Sequence, residues 1–202
     1  MSTSSADLFN RFTRRIQNGQ WTLKNVSIAH AKKYLVKRDL EQCYQGLFLQ
    51  AVVSFELLIE ELFLHLITNR ASHPRSSTPI HVFPSIEIAR KVVTQGRYTD
   101  WLPIDKTEKL SKVFFEISGN PFLYLSKAQK NEIEKVLLIR NYIAHKSGFA
   151  YNAYETKVVS PTVLPRGQRT LLGYFEFPHT SSTNKYEYHV GELVAAARSL
   201  CM

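Results

Sequence analysis

Arg140-Asn141-Tyr142-Ile143-Ala144-His145 sets a guanidinium and an imidazole on one short stretch, with four residues between them. Guanidinium is a permanently charged planar fork of donors that matches the oxygens of phosphate. Imidazole gives and takes protons near neutral pH. Together they form a minimal set for cleaving a phosphodiester without a metal: one group moves a proton, the other holds negative charge at phosphorus. The spacing by itself selects little, because the chain has 7 histidines in 202 residues and many arginines to meet them. A decoy pair occurs at Arg75 and His81, within and just after the Pro/Ser-rich run His73-Pro74-Arg75-Ser76-Ser77-Thr78-Pro79. Nothing in such a segment fixes side-chain geometry.

The pair at 140 and 145 differs from the decoy because a helix must carry it. Ser126 followed by Gln129 reads as a capping box. Ile133, Val136, Leu137, Ile143 and Ala144 then recur at helical spacing and predict one apolar face. Arg140 falls on that face where an apolar residue is expected, and a charge there is costly unless paired or solvated in a cleft. Asn141 and His145 share the adjacent row. Gly148, preceded by Lys146, is expected to cap the helix C-terminus, which puts His145 in the last turn, where the helix dipole favours imidazolium. A histidine so placed also serves as a plain dipole contact, and an arginine on a buried face as half of a structural ion pair. The helix alone leaves these readings open beside the catalytic one.

Arg140, Asn141, Ala144 and His145, about eighty residues after the apolar stretch Ala51-Val52-Val53-Ser54-Phe55-Glu56-Leu57-Leu58, resemble the HEPN superfamily (higher eukaryotes and prokaryotes nucleotide-binding). The resemblance spans roughly residues 35–150. It implies a helical bundle in which Arg140 and His145 are the active-site pair of a metal-independent endoribonuclease, with Asn141 beside them. It also implies a dimer in which two motifs line one cleft, and a toxin or defence setting. Some members of the superfamily only bind nucleotides or mediate assembly, so a non-catalytic module and a toxin subunit neutralised by an antitoxin stand as alternatives.

Further candidates surround the pair. Glu56 interrupts an apolar run and is expected to pair with Arg140 or polarise His145, unless it shares a solvated face with Glu60. Lys146 and Tyr142 are the expected RNA contacts, although a tyrosine in this position more often packs. Tyr151 and Tyr154 carry the same two readings. His65 is read as a core or interface histidine. His30, His73, His81, His179 and His189 show no metal-ligand spacing, and no Gly-rich phosphate loop is present, so no metal or cofactor is expected.

Composition bounds these readings. Hydrophobic residues make up 44% and charged residues 21%, ordinary for a globular chain. The net charge is +9, and it is unevenly placed: residues 1–38 carry eight bases against one acid, whereas 39–70 carry five acids against one base. A basic chain favours a polyanion such as RNA, or is merely a basic surface. Cys43 and Cys201 form no disulfide framework, and with no signal-like start a cytoplasmic protein is expected. The most apolar window, 46–66, contains Glu56, Glu60, Glu61 and His65, which argues against a membrane span.

The expected organisation is a basic helical extension over 1–34, a HEPN-like helical core over 35–150, and a C-terminal segment over 151–202. Within the extension a short helix over 6–18 ends at Gly19, and a second starts near Val26. The main helix spans about Leu40 to Asn69, with Leu40, Tyr44, Leu47, Ala51, Phe55, Leu58 and Leu62 as its stripe. Ser85 caps a helix over 86–95, and Lys106–Ile117 forms another with Leu110, Val113, Phe114 and Ile117 inward. The β-branched runs Thr156–Val159 and Leu171–Phe177 predict a hairpin or β-like excursion near 156–177, before a final helix over 191–200. The fold class is mainly α. Its expected partners are RNA, a second copy of the chain, and an antitoxin or defence protein, with no membrane.

Overall fold

The computed structural model describes residues 3–75, 77–97, 99–162 and 164–202; Ser76 of the Pro/Ser-rich loop and Val163 of the expected hairpin lie outside the described residues. The fold is mainly α. Eight α-helices occur among the described residues: α1 (Ser5–Ala31), α2 (Lys37–Ile67), α3 (Ile86–Thr94), α4 (Ile104–Phe114), α5 (Lys127–His145), α6 (Gly148–Tyr154), α7 (Leu171–Glu176) and α8 (Lys185–Cys201). Strands β1 (Thr3–Ser4) and β2 (Ala71–Ser72) pair in parallel, Thr3 opposite Ala71. The chain forms two compact units, one of Met1–Thr13, Ser54–Lys130 and Val194–Met202, the other of Arg14–Val53 and Asn131–Leu193.

In the first unit Phe63 is ringed by Trp101, Phe114, Phe115 and Phe122, all with centroids within 5.6 Å. The inward face of α4 differs from the expected one. Ile104, Thr107, Ser111 and Phe114 are buried, whereas Val113 and Ile117 are exposed. Two polar residues can occupy this stripe because their hydroxyls are satisfied. Thr107 Oγ1 donates to the Trp101 carbonyl at 2.6 Å, and Ser111 Oγ accepts from Asn120 Nδ2 at 2.8 Å. Ser85 caps α3 as expected, accepting from the Ile88 amide, and Gly96 follows at φ +72, a left-handed conformation that glycine adopts at little cost.

The second unit is built around Phe175, packed on Tyr44, Phe48 and Tyr186 at 5.9, 5.0 and 5.6 Å. Among the described residues the hairpin expected near 156–177 does not form: Glu155–Val159 is a π-helical turn continuing α6, 3-10 turns follow at Ser160–Thr162 and Arg166–Gln168, and α7 occupies Leu171–Glu176. β-Propensity is mainly a preference for a half-buried pleated surface. Val158 and Val159 instead find full burial as neighbours on a helical turn. Thr170 caps α7 through the Gly173 amide. Gly173 also allows the chain to approach itself, since a Cβ there would lie 2.6 Å from the Gln168 carbonyl oxygen. The final helix begins earlier than expected because Asn184 and Glu187 form a reciprocal cap, with bonds of 2.9 and 3.0 Å.

Helix α2 has 31 residues, about 46 Å at 1.5 Å per residue. Its interruption by acidic residues leaves no helix among the described residues long and apolar enough to cross a membrane. The two helices expected before it are one: α1 runs unbroken from Ser5 to Ala31, with Gly19 inside it. The Cβ that alanine would add at 19 meets only Leu47 Cδ2, at 3.8 Å. Gly19→Ala should therefore stabilise the protein by about 0.5–1 kcal/mol, read as a raised midpoint in urea unfolding with unchanged slope. A lowered midpoint would show that the helix needs the glycine.

Candidate functional site

Helix α5 starts where its capping box predicts. The Gln129 amide donates to Ser126 Oγ at 3.2 Å, and Gln129 Oε1 accepts from the Ser126 amide at 2.9 Å. The buried face of α5 is Ile133, Val136, Ile139 and Ile143. The expected stripe is thus rotated by one position. Ile139 takes the place assigned to Arg140, Leu137 is half-buried, and Ala144 is exposed. Arg140 stands at the edge of the buried face, half-buried, so its charge is not the core conflict that the pattern predicts. The guanidinium Nη1 donates to Asn141 Oδ1 at 2.9 Å, its one hydrogen bond among the described residues. This contact uses one arm of the fork.

The helix ends at His145, which is exposed. Gly148 does not cap it. Lys146 takes the left-handed conformation at φ +44, and its amide donates to the Tyr142 carbonyl at 3.1 Å. Ser147 then caps α6 through the Ala150 amide at 3.2 Å, with Gly148 as the first residue of that helix. The reason is local: Ser147 offers an N-cap oxygen one residue before the glycine, so a new helix starts there. The His145 side chain makes no hydrogen bond or ion pair among the described residues. Lys146 beside it is also exposed.

Tyr142, on the next face of α5, lies flat on Tyr154 with centroids 4.6 Å apart and planes 6° from parallel. Tyr151 closes on it at 5.9 Å. One face of Tyr142 is thereby covered, and burial pushes its phenol above the usual range. Tyr154 is fully buried, its phenol pushed up further by the same cause. The residue that pattern reading missed is Phe149, 86% exposed in the first turn of α6. The ring stands bare four residues after the motif histidine. Its only sequence signal was an aromatic directly after a predicted cap.

The expected residues thus fall in three places. Arg140 and Asn141 are bonded to each other. Tyr142, His145 and Lys146 follow on the same helix end, all in the second unit. Glu56 is half-buried on α2 and belongs to the first unit. Comparison with family models, with curated proteins and with solved structures finds no match to this chain.

Proposed function

We propose that the chain is a metal-independent endoribonuclease of HEPN type. The observation that carries the reading is the end of α5: a half-buried Arg140 steadied by Asn141, and an exposed, unengaged His145 five residues on. The reaction is an internal transfer. The ribose 2′-OH loses its proton and forms a bond to its own phosphorus, the P–O5′ bond breaks, and the leaving oxygen takes a proton. The products are a 2′,3′-cyclic phosphate and a 5′-OH. His145 serves as the acid or base, and Arg140 holds the charge of the pentacoordinate state. One imidazole cannot both remove and deliver a proton in a single step, so we further propose a homodimer whose two motifs share a cleft. In this reading Phe149 stacks on a base and Lys146 meets a phosphate. The cytoplasmic toxin or defence setting, with an antitoxin or defence partner, rests on the resemblance alone.

The second reading is a non-catalytic module that holds a nucleotide or buries the motif against a protein. Phe149 favours it to a degree, because a ring this exposed suits an interface as well as a base. The two separate in one assay. Purified protein is incubated with single-stranded RNA in EDTA, product ends are identified, and molecular mass is measured by light scattering. Cleavage should persist under chelation, since Arg140 supplies positive charge at phosphorus. Activity lost in EDTA and restored by Mg²⁺ would overturn the mechanism. A fully active monomer would overturn the shared cleft, and no cleavage at all is the outcome that the second reading expects.

A further inference from the structure

A cleft of about 330 Å³ lies in the second unit, lined by Glu132, Lys135, Lys157, Lys185, Tyr188 and His189 among others. Lys135 is ten residues before His145 on α5, about 15 Å along the helix, so the cleft is centred elsewhere than the motif. Three features show that it is built. Beneath it runs a buried relay: the Tyr174 hydroxyl meets His189 Nε2 at 2.7 Å, and His189 Nδ1 faces Glu132 Oε2 at 3.8 Å. His189 is 1% exposed, and its Nδ1 has no hydrogen-bond partner among the described residues. Apolar side chains would fill that wall at less cost, and a polar wall retained at a cost is a mark of function.

The second feature is charge. Glu132 Oε1 accepts from Lys135 Nζ at 2.6 Å. Lys157 reaches only Glu134, at 3.5 Å, with both groups about 60% exposed, a pair that solvent leaves weak. Lys185 meets the ring nitrogen of His179 at 3.3 Å and has no acidic partner among the described residues. Three ammonium groups and one carboxylate line the cleft, an excess of two positive charges. The third is crowding of like charge. The Lys185 ammonium is held below its usual range by burial and by the Lys135 charge, and burial followed by the lysine charges keeps His189 neutral. An anion among the three lysines offsets the like-charge part of both shifts.

We propose that this cleft is a binding site for a small phosphate dianion, inorganic phosphate or a phosphate monoester, held by Lys135, Lys157 and Lys185. A phosphate monoester carries close to two negative charges at neutral pH, equal to the excess in the lining. Glu132 sets the position of Lys135 through their 2.6 Å contact. The site stands apart from the ribonuclease reading and does not depend on it.

The test is calorimetric titration of the full chain at low salt with three probes: inorganic phosphate, a nucleoside 5′-monophosphate and a short single-stranded RNA. Saturable phosphate binding with a Kd on the order of 1 mM or tighter is expected. The monophosphate should compete for the same site. Lys157→Ala and Lys185→Ala should each weaken phosphate at least about fivefold, and the pair together at least about tenfold, the loss of a charge-assisted contact. Lys109→Ala, an exposed lysine of the first unit, should leave it unchanged. Thermal melts check that each variant is folded; should the double variant fail to fold, the single variants decide. No saturable phosphate binding, equal weakening in Lys109→Ala, or binding of RNA alone that the lysine variants abolish would each overturn the proposal.

Discussion

His145→Ala should reduce RNA cleavage by at least about 10²-fold, the usual contribution of a positioned acid or base, while leaving the fold intact. His145 is the last residue of α5 and exposed, and its side chain is without a hydrogen bond or ion pair among the described residues. Its removal strands no partner and opens no cavity. Arg140→Ala should lose activity to the same degree for a different reason, the missing charge at phosphorus. It also removes a half-buried hydrogen bond to Asn141, at a cost of about 0.5–1.5 kcal/mol. Arg140→Lys keeps the charge without the fork, so little activity should return. RNA cleavage and thermal melts on parent and variants decide the matter. Full activity in a highly purified His145→Ala protein would remove this histidine from the mechanism, and with it most of the ribonuclease reading.

The motif helix was legible because its signals are local. A capping box specifies its own two bonds, and Ser126 and Gln129 make both. The rotation of the buried face was not legible. Leu137, Ile139, Arg140 and Ala144 are all compatible with helical spacing, and the neighbours that α5 packs against choose Ile139 over Arg140. The same limit applies to α1. Gly19 signals a break, but a single helix-interior glycine costs only about 1 kcal/mol, and packing overrides it. At 156–177 local propensity misled outright: Val158, Val159, Leu171 and Leu172 are buried on helical turns, stabilised by contacts far apart in the chain. Phe149 escaped notice because exposure of an aromatic is a tertiary property.

His189 was the least legible of all. In the sequence it is a lone histidine without ligand spacing; in the fold it is buried between Tyr174 and Glu132 and under two lysines. The groups around it are Glu132, Tyr174, Lys185, Lys135 and His179. Facing Glu132, Nδ1 is the protonated nitrogen, and Nε2 accepts from the Tyr174 hydroxyl, an assignment that follows from the partners. Burial first, then the charges of Lys185 and Lys135, push His189 down to about 3.

Acid should therefore destabilise this protein through His189. Its pKa is lower in the folded chain than the ordinary histidine value of 6.5 that an unfolded chain approaches. Above 6.5 neither state binds the proton and the group contributes nothing to the pH slope. Between 6.5 and about 3 the unfolded chain binds one proton more than the folded chain, so stability falls as pH falls, by at most about 1.4 kcal/mol per pH unit. His65 and His73 are also lowered, burial being the first cause in each, and act in the same direction. The difference between parent and His189→Gln isolates the one group, because everything else titrates in both. His189→Gln should be the less stable protein near pH 7, having lost a well-formed contact to Tyr174, yet its stability should fall less steeply on acidification from about pH 6.5 to about pH 4.5. Urea unfolding midpoints across that range give the two slopes. Parallel curves would mean that His189 is charged or solvated in the folded chain, and the buried relay under the lysine cleft would have to be redrawn.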